Sequence, residues 1–178
     1  MAYEIDPNHS TVEFAAKHMM ITTVRGRFKK FSGTLHIDEQ NPANSQVDVT
    51  IDASSIDTGA EARDNHLRSA DFFDVAKYPT ITFKSTRVEA LGGEKYRVTG
   101  DLTIHGVTRP QTLEVEREGS IKDMQGKQRQ SFSATGKLSR KDFGLEWNVA
   151  LESGGWLVGD EIKLDIEAQV IETASVAA

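Results

Sequence analysis

Apolar and polar residues alternate with a period of two along most of this chain, the pattern of strands buried on one face. Ser10, Val12, Phe14, Ala16 and His18 share one face, and Thr11, Glu13, Ala15 and Lys17 share the other. Gly33, Leu35 and Ile37 oppose Thr34, His36 and Asp38; Val47, Val49 and Ile51 oppose Asp48, Thr50 and Asp52. Ile81, Phe83 and Ser85 continue the scheme, as do Tyr96, Val98, Gly100, Leu102 and Ile104. Leu113 and Val115, then Phe132, Ala134, Gly136 and Leu138, then Ile162, Leu164, Ile166, Ala168 and Val170 complete it. The pattern predicts roughly eight antiparallel strands, each with one apolar face. Turn residues fall between them at Asn41-Pro42, Gly92-Gly93, His105-Gly106 and Asp123 to Gly126. The count suits a closed barrel or a sandwich.

One stretch breaks the alternation. Arg63 to Asp74 reads as the single helix, over about 60–70, and carries both charge and the adjacent Phe72 and Phe73. Thr58 with Glu61 three residues later fits a capping box, and Asp64 with Arg68 fits a bracing pair one turn apart. Arg63 is expected to tie the helix to the barrel. Of the two phenylalanines, one is expected to plug the barrel and the other to pack under its own helix. The segment near 146–156, from Trp147 to Trp156 through Gly154-Gly155, reads as a short helical or gate segment, with an edge-covering loop as the alternative.

Composition narrows the function classes. With 21 basic and 27 acidic side chains and no basic block longer than Lys29-Lys30, nucleic acid is not the expected partner. Absence of cysteine excludes disulfides and thiolate chemistry. No stretch approaches the roughly eighteen apolar residues of a membrane-spanning helix. The first ten residues are polar, which sets a cytoplasmic expectation. One domain over 1–178 is expected, with a frayed tail over 172–178.

Small residues recur mid-strand on the inward faces: Ala16, Gly33, Ala53, Gly100, Ala134, Gly136 and Ala168. A barrel of about eight strands is either filled by side chains or holds one small ligand, depending on their size. The expectation is a part-empty apolar lumen. Its lining is assigned to Phe14, Met20, Phe28, Val49, Ile51, Leu67, Phe72, Phe83, Val98, Gly100, Leu102, Phe132, Gly136, Trp147 and Leu164. The alternative is that the glycines mark bulges or bends and that a packed sandwich covers the alanines.

Several motifs together resemble the YceI-like family of polyisoprenoid-binding proteins, over nearly the whole chain. They are Ile5-Asp6-Pro7-Asn8-His9-Ser10, Val24-Arg25-Gly26-Arg27-Phe28, Ser55-Ile56-Asp57-Thr58-Gly59 and Arg63 to Ser69. Asp71-Phe72-Phe73-Asp74, Tyr78-Pro79, Gly100 to Thr108, Arg140-Lys141-Asp142-Phe143-Gly144 and Val158-Gly159-Asp160-Glu161 continue the match. The resemblance implies an extended, lipocalin-like antiparallel barrel that takes a polyisoprenoid, prenyl diphosphate, isoprenoid quinone or other long-chain lipid without covalent attachment. It also implies that homodimerisation is possible, and that many relatives are periplasmic.

Candidate headgroup or mouth residues are His18, Arg25, Arg63 and His66. Arg25, Arg27 and Lys29 recur at period two and form a basic stripe, either a solvated face or an attractor of a diphosphate. Five histidines show no HxxxH-type pair, so neither a metal nor another cofactor is expected. Consecutive helix positions diverge by about 100°, so Arg63, Asp64 and His66 do not converge on one substrate. No nucleophile elbow or phosphate-cradling loop is present. The expected function is lipid sequestration or transport. The alternatives are a hydrolase or other enzyme acting on a prenyl or acyl chain, and a stress-related interaction domain that binds no ligand.

Overall fold

Three strands of the sheet are each broken once, at the same level, and these breaks shape the interior. The computed structural model describes residues 1–152, 154–155 and 157–173. Its strands are β1 (Ala2–Ile5), β2 (Thr11–His18), β3 (Thr22–Phe28), β4 (Phe31–His36), β5 (Gln46–Asp52) and β6 (Ile56–Asp57). After helix α1 (Glu61–Arg68) come β7 (Thr80–Gly92), β8 (Lys95–Ile104), β9 (Val107–Lys122), β10 (Gln128–Ser139) and β11 (Val158–Glu172).

The pairings close a ring of eight antiparallel strands, β1-β4-β5-β7-β8-β9-β10-β11 and back to β1. β2, β3 and β6 form a branch from β11. Along one edge β11 pairs β10 throughout, and along the other it pairs β2 up to Glu167 and β1 from Val170. β1 and β2 are therefore two halves of one long strand, and so are β3 with β4 and β5 with β6. Pro7, which has no N–H for the ladder, opens the turn Pro7–His9 that makes the first break. The turn Ala53–Ser55 makes the last, and its Ser55 hydroxyl and carbonyl accept the N–H groups of Lys30 and Lys29 at the break between β3 and β4. The expected eight strands are present, with three of them divided.

β6 is two residues long and ends the branch, so the chain from 58 to 79 covers the wall between β6 and β7. α1 is fastened there by Arg68, whose Nε and Nη2 donate to the carbonyls of Ser54 and Ile56 at 2.8 and 2.9 Å. Asp64, buried beneath the helix, accepts from the N–H of Thr58 at 2.9 Å and from its hydroxyl at 2.5 Å.

Two expectations about the helix are thereby corrected. Thr58 is not a capping residue: the cap position is Ala60, with no side-chain bond, because the Thr58 hydroxyl is spent on Asp64. Asp64 does not brace Arg68, whose guanidinium is taken by carbonyls and by Asn65. Arg63 donates to the Thr58 hydroxyl and carbonyl, so it fastens the helix to the loop after β6 rather than to a barrel strand.

The described residues of the expected 146–156 segment, 146–152 and 154–155, are not helical. The short helical turn lies earlier, at Arg140–Phe143, and closes on Gly144 in the left-handed conformation. Residues 145–149 form no regular element and are held by Asn148, whose side chain bonds both the N–H and the carbonyl of Val158. Trp156 and the tail 174–178 lie outside the described residues.

Candidate functional site

Inside the ring lies a cavity of about 460 Å³ that borders residues from both ends of the barrel. That volume is within the range of about 300–1,000 Å³ found for small-molecule sites. Its wall is almost wholly apolar because the pleat sends every second residue inward. On β8, for example, Val98, Leu102 and Ile104 are buried while Arg97 and Asp101 point to solvent.

Of the residues assigned to the lumen, Phe14, Phe28, Val49, Ile51, Leu67, Phe72, Phe83, Val98, Leu102, Phe132, Trp147 and Leu164 border this cavity. Phe14 packs on Phe28 with ring centroids 5.5 Å apart, and Phe28 meets the edge of Phe73 at 6.0 Å. Phe72 and Phe73 both face the cavity, contrary to the expected split, because the chain turns back after α1 and lays both rings over the lumen.

Three lumen assignments are corrected. Met20 sits at the tip of the β2–β3 turn with a positive φ of 64° and is 62% exposed; its sulfur packs on Gly155 outside the barrel. Gly100 does not open space: a Cβ there would stand 2.6 Å from the ring of Phe83 and from the carbonyl of Lys84. Gly136 is likewise covered, since a Cβ would meet the Leu113 side chain at 2.8 Å and the Gln111 amide at 3.2 Å. Among the small inward residues it is Ala16, Ala134 and Ala168 that border the cavity.

The mouth candidates divide in the same way. His18, Arg63 and His66 border the cavity at the end covered by α1. His66 donates from Nε2 to the Asp71 carboxylate at 2.9 Å and meets Trp147 and Phe72 edge to face, at 4.6 and 5.1 Å. Arg25 is a correction. It projects from the outer face of β3, between the inward Val24 and Gly26, and so does not reach the lumen. Farther along that stripe, Arg27 and Lys29 approach Asp57 at 3.7 and 3.1 Å. The N–H of Gly59 and then the ammonium of Lys29 hold Asp57 below the usual carboxylate range.

Two polar anchors escaped the sequence reading. Arg140 is 3% exposed and donates to the carbonyls of Gly159, Leu145, Trp147 and Val158 at 2.9, 2.5, 3.0 and 3.2 Å. Burial pushes its guanidinium below the ordinary arginine value. It ties Leu145 and Trp147 to Val158 and Gly159 of β11 and so positions Trp147 over His66. At the opposite end Gln130, 2% exposed, donates to the Tyr3 hydroxyl at 2.9 Å and to Glu39 at 3.3 Å. Beside it Arg117 bridges Glu94 and Glu39, whose hydrogen bonds raise it above its ordinary value. Gln130 sits at an inward position of β10 and Arg140 opens the turn that follows that strand, but an isolated buried polar residue carries no signal of what it will bond.

Among the described residues no three His, Asp or Glu side chains are grouped to hold a metal ion, and no helix is long and apolar enough to cross a membrane. The arrangement is an apolar chamber with polar groups fastened at its two ends.

A family model described as the YceI-like domain matches residues 3–170. A protein named YceI from Escherichia coli O157:H7 is 46% identical over 149 residues, covering 83% of this chain and 78% of that protein. The crystal structure of BcnA from Burkholderia cenocepacia superposes with a TM-score of 0.79 at 29% identity, covering 95% of this chain and 99% of that one. A domain from Saccharophagus degradans, described as polyisoprenoid binding and implicated in plant cell wall breakdown, has a TM-score of 0.66 at 19% identity, covering 96% and 98%. At that identity the likeness concerns the fold.

Proposed function

This chain belongs to the YceI-like domain family, and from the interior of its barrel we propose that it binds and sequesters or transports a long-chain amphiphile without chemical turnover. The candidates are a polyisoprenoid alcohol, a prenyl diphosphate and an isoprenoid quinone. The observation that carries the reading is the 460 Å³ chamber and its apolar wall, which runs from Ile37 and Val47 at one end to Leu67 and Trp147 at the other. The polyisoprenoid description of the Saccharophagus degradans neighbour agrees with this ligand class, at the level of fold alone.

The physical driving force is transfer of a hydrocarbon tail from water to the chamber, at about 0.8 kcal/mol for each methylene. Ordering a flexible chain opposes it, and non-covalent affinity levels off near about 20 kcal/mol. Affinity therefore rises with tail length until the chamber is full. No nucleophile or proton relay is needed for such a cycle. The aromatic group of Phe72, His66 and Trp147 covers one end, and its displacement would admit or release the tail.

The test is to incubate the protein with a long polyprenol, separate it by gel filtration and quantify the lipid that travels with it. One molecule for each chain, recovered unchanged, is expected. No co-eluting lipid with polyprenol, prenyl diphosphate or quinone would overturn the carrier reading, and recovery of a cleaved product would replace it with an enzyme.

A further inference from the structure

Among the described residues, the cavity wall carries a buried amide whose acceptor has no protein partner. Gln111 occupies an inward position on β9, between the outward Pro110 and Thr112, and is 8% exposed. Its Nε2 donates twice, to the carbonyl of Thr112 at 2.9 Å and to the carbonyl of Lys137 on β10 at 3.0 Å. Both amide hydrogens are thus taken, which fixes which end of the side chain is oxygen. Among the described residues, no donor reaches Oε1. That oxygen is not sealed in protein either, since no unpartnered side-chain polar atom is fully enclosed. Gln111 faces inward and borders the chamber, so its remaining accessible surface lies on the lumen.

Neighbouring residues make a berth for this amide. Gly136 on β10 leaves the space in which it lies, since a Cβ there would approach Nε2 to 3.2 Å, and Gly100 pairs with Gln111 across β8 and β9. Around it the wall is hydrocarbon: Leu113, Ile104, Leu102 and Leu138 all border the same chamber.

We infer that Gln111 selects a ligand that carries a hydrogen-bond donor, a hydroxyl or an amide N–H, on its apolar skeleton. The inference rests on the carrier reading and narrows its ligand class. A buried acceptor left unmatched by the ligand loses the bond it makes with water, whereas a matching donor restores it. A prenol or a quinol supplies that donor. An oxidised quinone, an ether or a plain hydrocarbon brings only acceptors or nothing, and places them against Oε1. Each of these loses affinity relative to its hydroxyl counterpart.

The test compares geranylgeraniol with geranylgeranyl methyl ether, two ligands with one tail that differ in the donor, by displacement of a fluorescent probe. The wild-type protein should bind the alcohol about five- to tenfold more tightly. Gln111→Met, close in size but without the acceptor, should bring the ratio near one. Equal affinities in the wild type would overturn the inference while leaving the carrier reading in place. A preference that persists in Gln111→Met would overturn the assignment to this residue. Failure of both ligands to bind would overturn the inference together with the carrier reading. Because loss of the two amide donors loosens β9 from β10, a prenylated benzoquinol and its quinone provide a second wild-type pair. The quinol is expected to be favoured, and equal binding of the two would again count against Gln111.

Discussion

Phe83 lies across Gly100, so close that a Cβ at position 100 would stand 2.6 Å from its ring. The glycine lets the tip of this ring reach over the neighbouring strand while the side chain also borders the cavity. Adding even a methyl group forces the ring or the Lys84 carbonyl to move. Gly100→Ala is expected to destabilise the barrel by about 1–3 kcal/mol, and Gly136→Leu by at least as much, since Leu113, the Thr112 carbonyl and Gln111 are all in the way. Urea unfolding at equilibrium checks this. Midpoints unchanged in both variants would show that the glycines face empty space.

Filling the chamber should separate binding from folding. Ala134 and Ala168 border the cavity on adjacent strands, β10 and β11, and their side chains point at open volume. Ala168→Phe, alone or with Ala134→Phe, should lower polyprenol uptake about tenfold or more, as lost contact area in the pocket requires. The thermal midpoint should stay within a few degrees of wild type. Uptake equal to wild type in the double variant would place the ligand elsewhere.

Arg140 should act as a stability and positioning residue. Replacing it with methionine leaves four buried or half-buried carbonyls without their donor. The expected loss is about 3 kcal/mol or more, from the range for hydrogen bonds to charged groups. Hydrogen exchange should rise first in residues 145–152, which the guanidinium holds against β11. Uniform exchange with unchanged stability would contradict that role.

Acid should weaken the β9–β10 turn through Asp123. Its carboxylate accepts from Arg129 Nε at 2.9 Å and from the N–H groups of Lys127 and Gln125 at 3.0 and 2.9 Å. Arg129 first, and then the Lys127 N–H, hold it below its ordinary value of 3.8. A carboxyl group lowered in the folded state contributes fully above the unfolded value and loses that contribution as pH falls through the folded one. The thermal midpoint of Asp123→Asn should therefore lie below wild type near neutrality, and the two should converge as pH drops below about 4. A gap that stays constant across that range would rule out the titration of Asp123.

The barrel was legible because alternation reports burial directly: Val98, Leu102 and Ile104 announce an inward face whichever strands flank them. The same rule, applied one strand at a time, finds Ile81, Leu113, Ile162 and Ile166, which also border the cavity. What alternation cannot report is what lies opposite. A glycine facing inward reads the same whether it borders a void or a covering ring, and Gly100 and Gly136 are covered. Met20 was misplaced because an adaptable apolar side chain reads the same in a lumen and in a turn, and this one lies in the turn between β2 and β3. Thr58, Asp64 and Arg68 have the spacing of a capped, braced helix, but their hydrogen bonds join the helix to the loop and turn beside β6. Sequence spacing describes an isolated helix, and this one is bonded to its surroundings. Gln111 gave no signal, since a single polar residue at an inward position matters only through its neighbours.

Native mass spectrometry of the protein as purified, with organic extraction of whatever it releases, tests the central claim most directly. A stoichiometric species that dissociates intact, and whose extract is a prenyl alcohol, quinol or comparable long-chain amphiphile, is the predicted result. A bare protein mass that stays unchanged after exposure to polyprenol, prenyl diphosphate and quinone would contradict it.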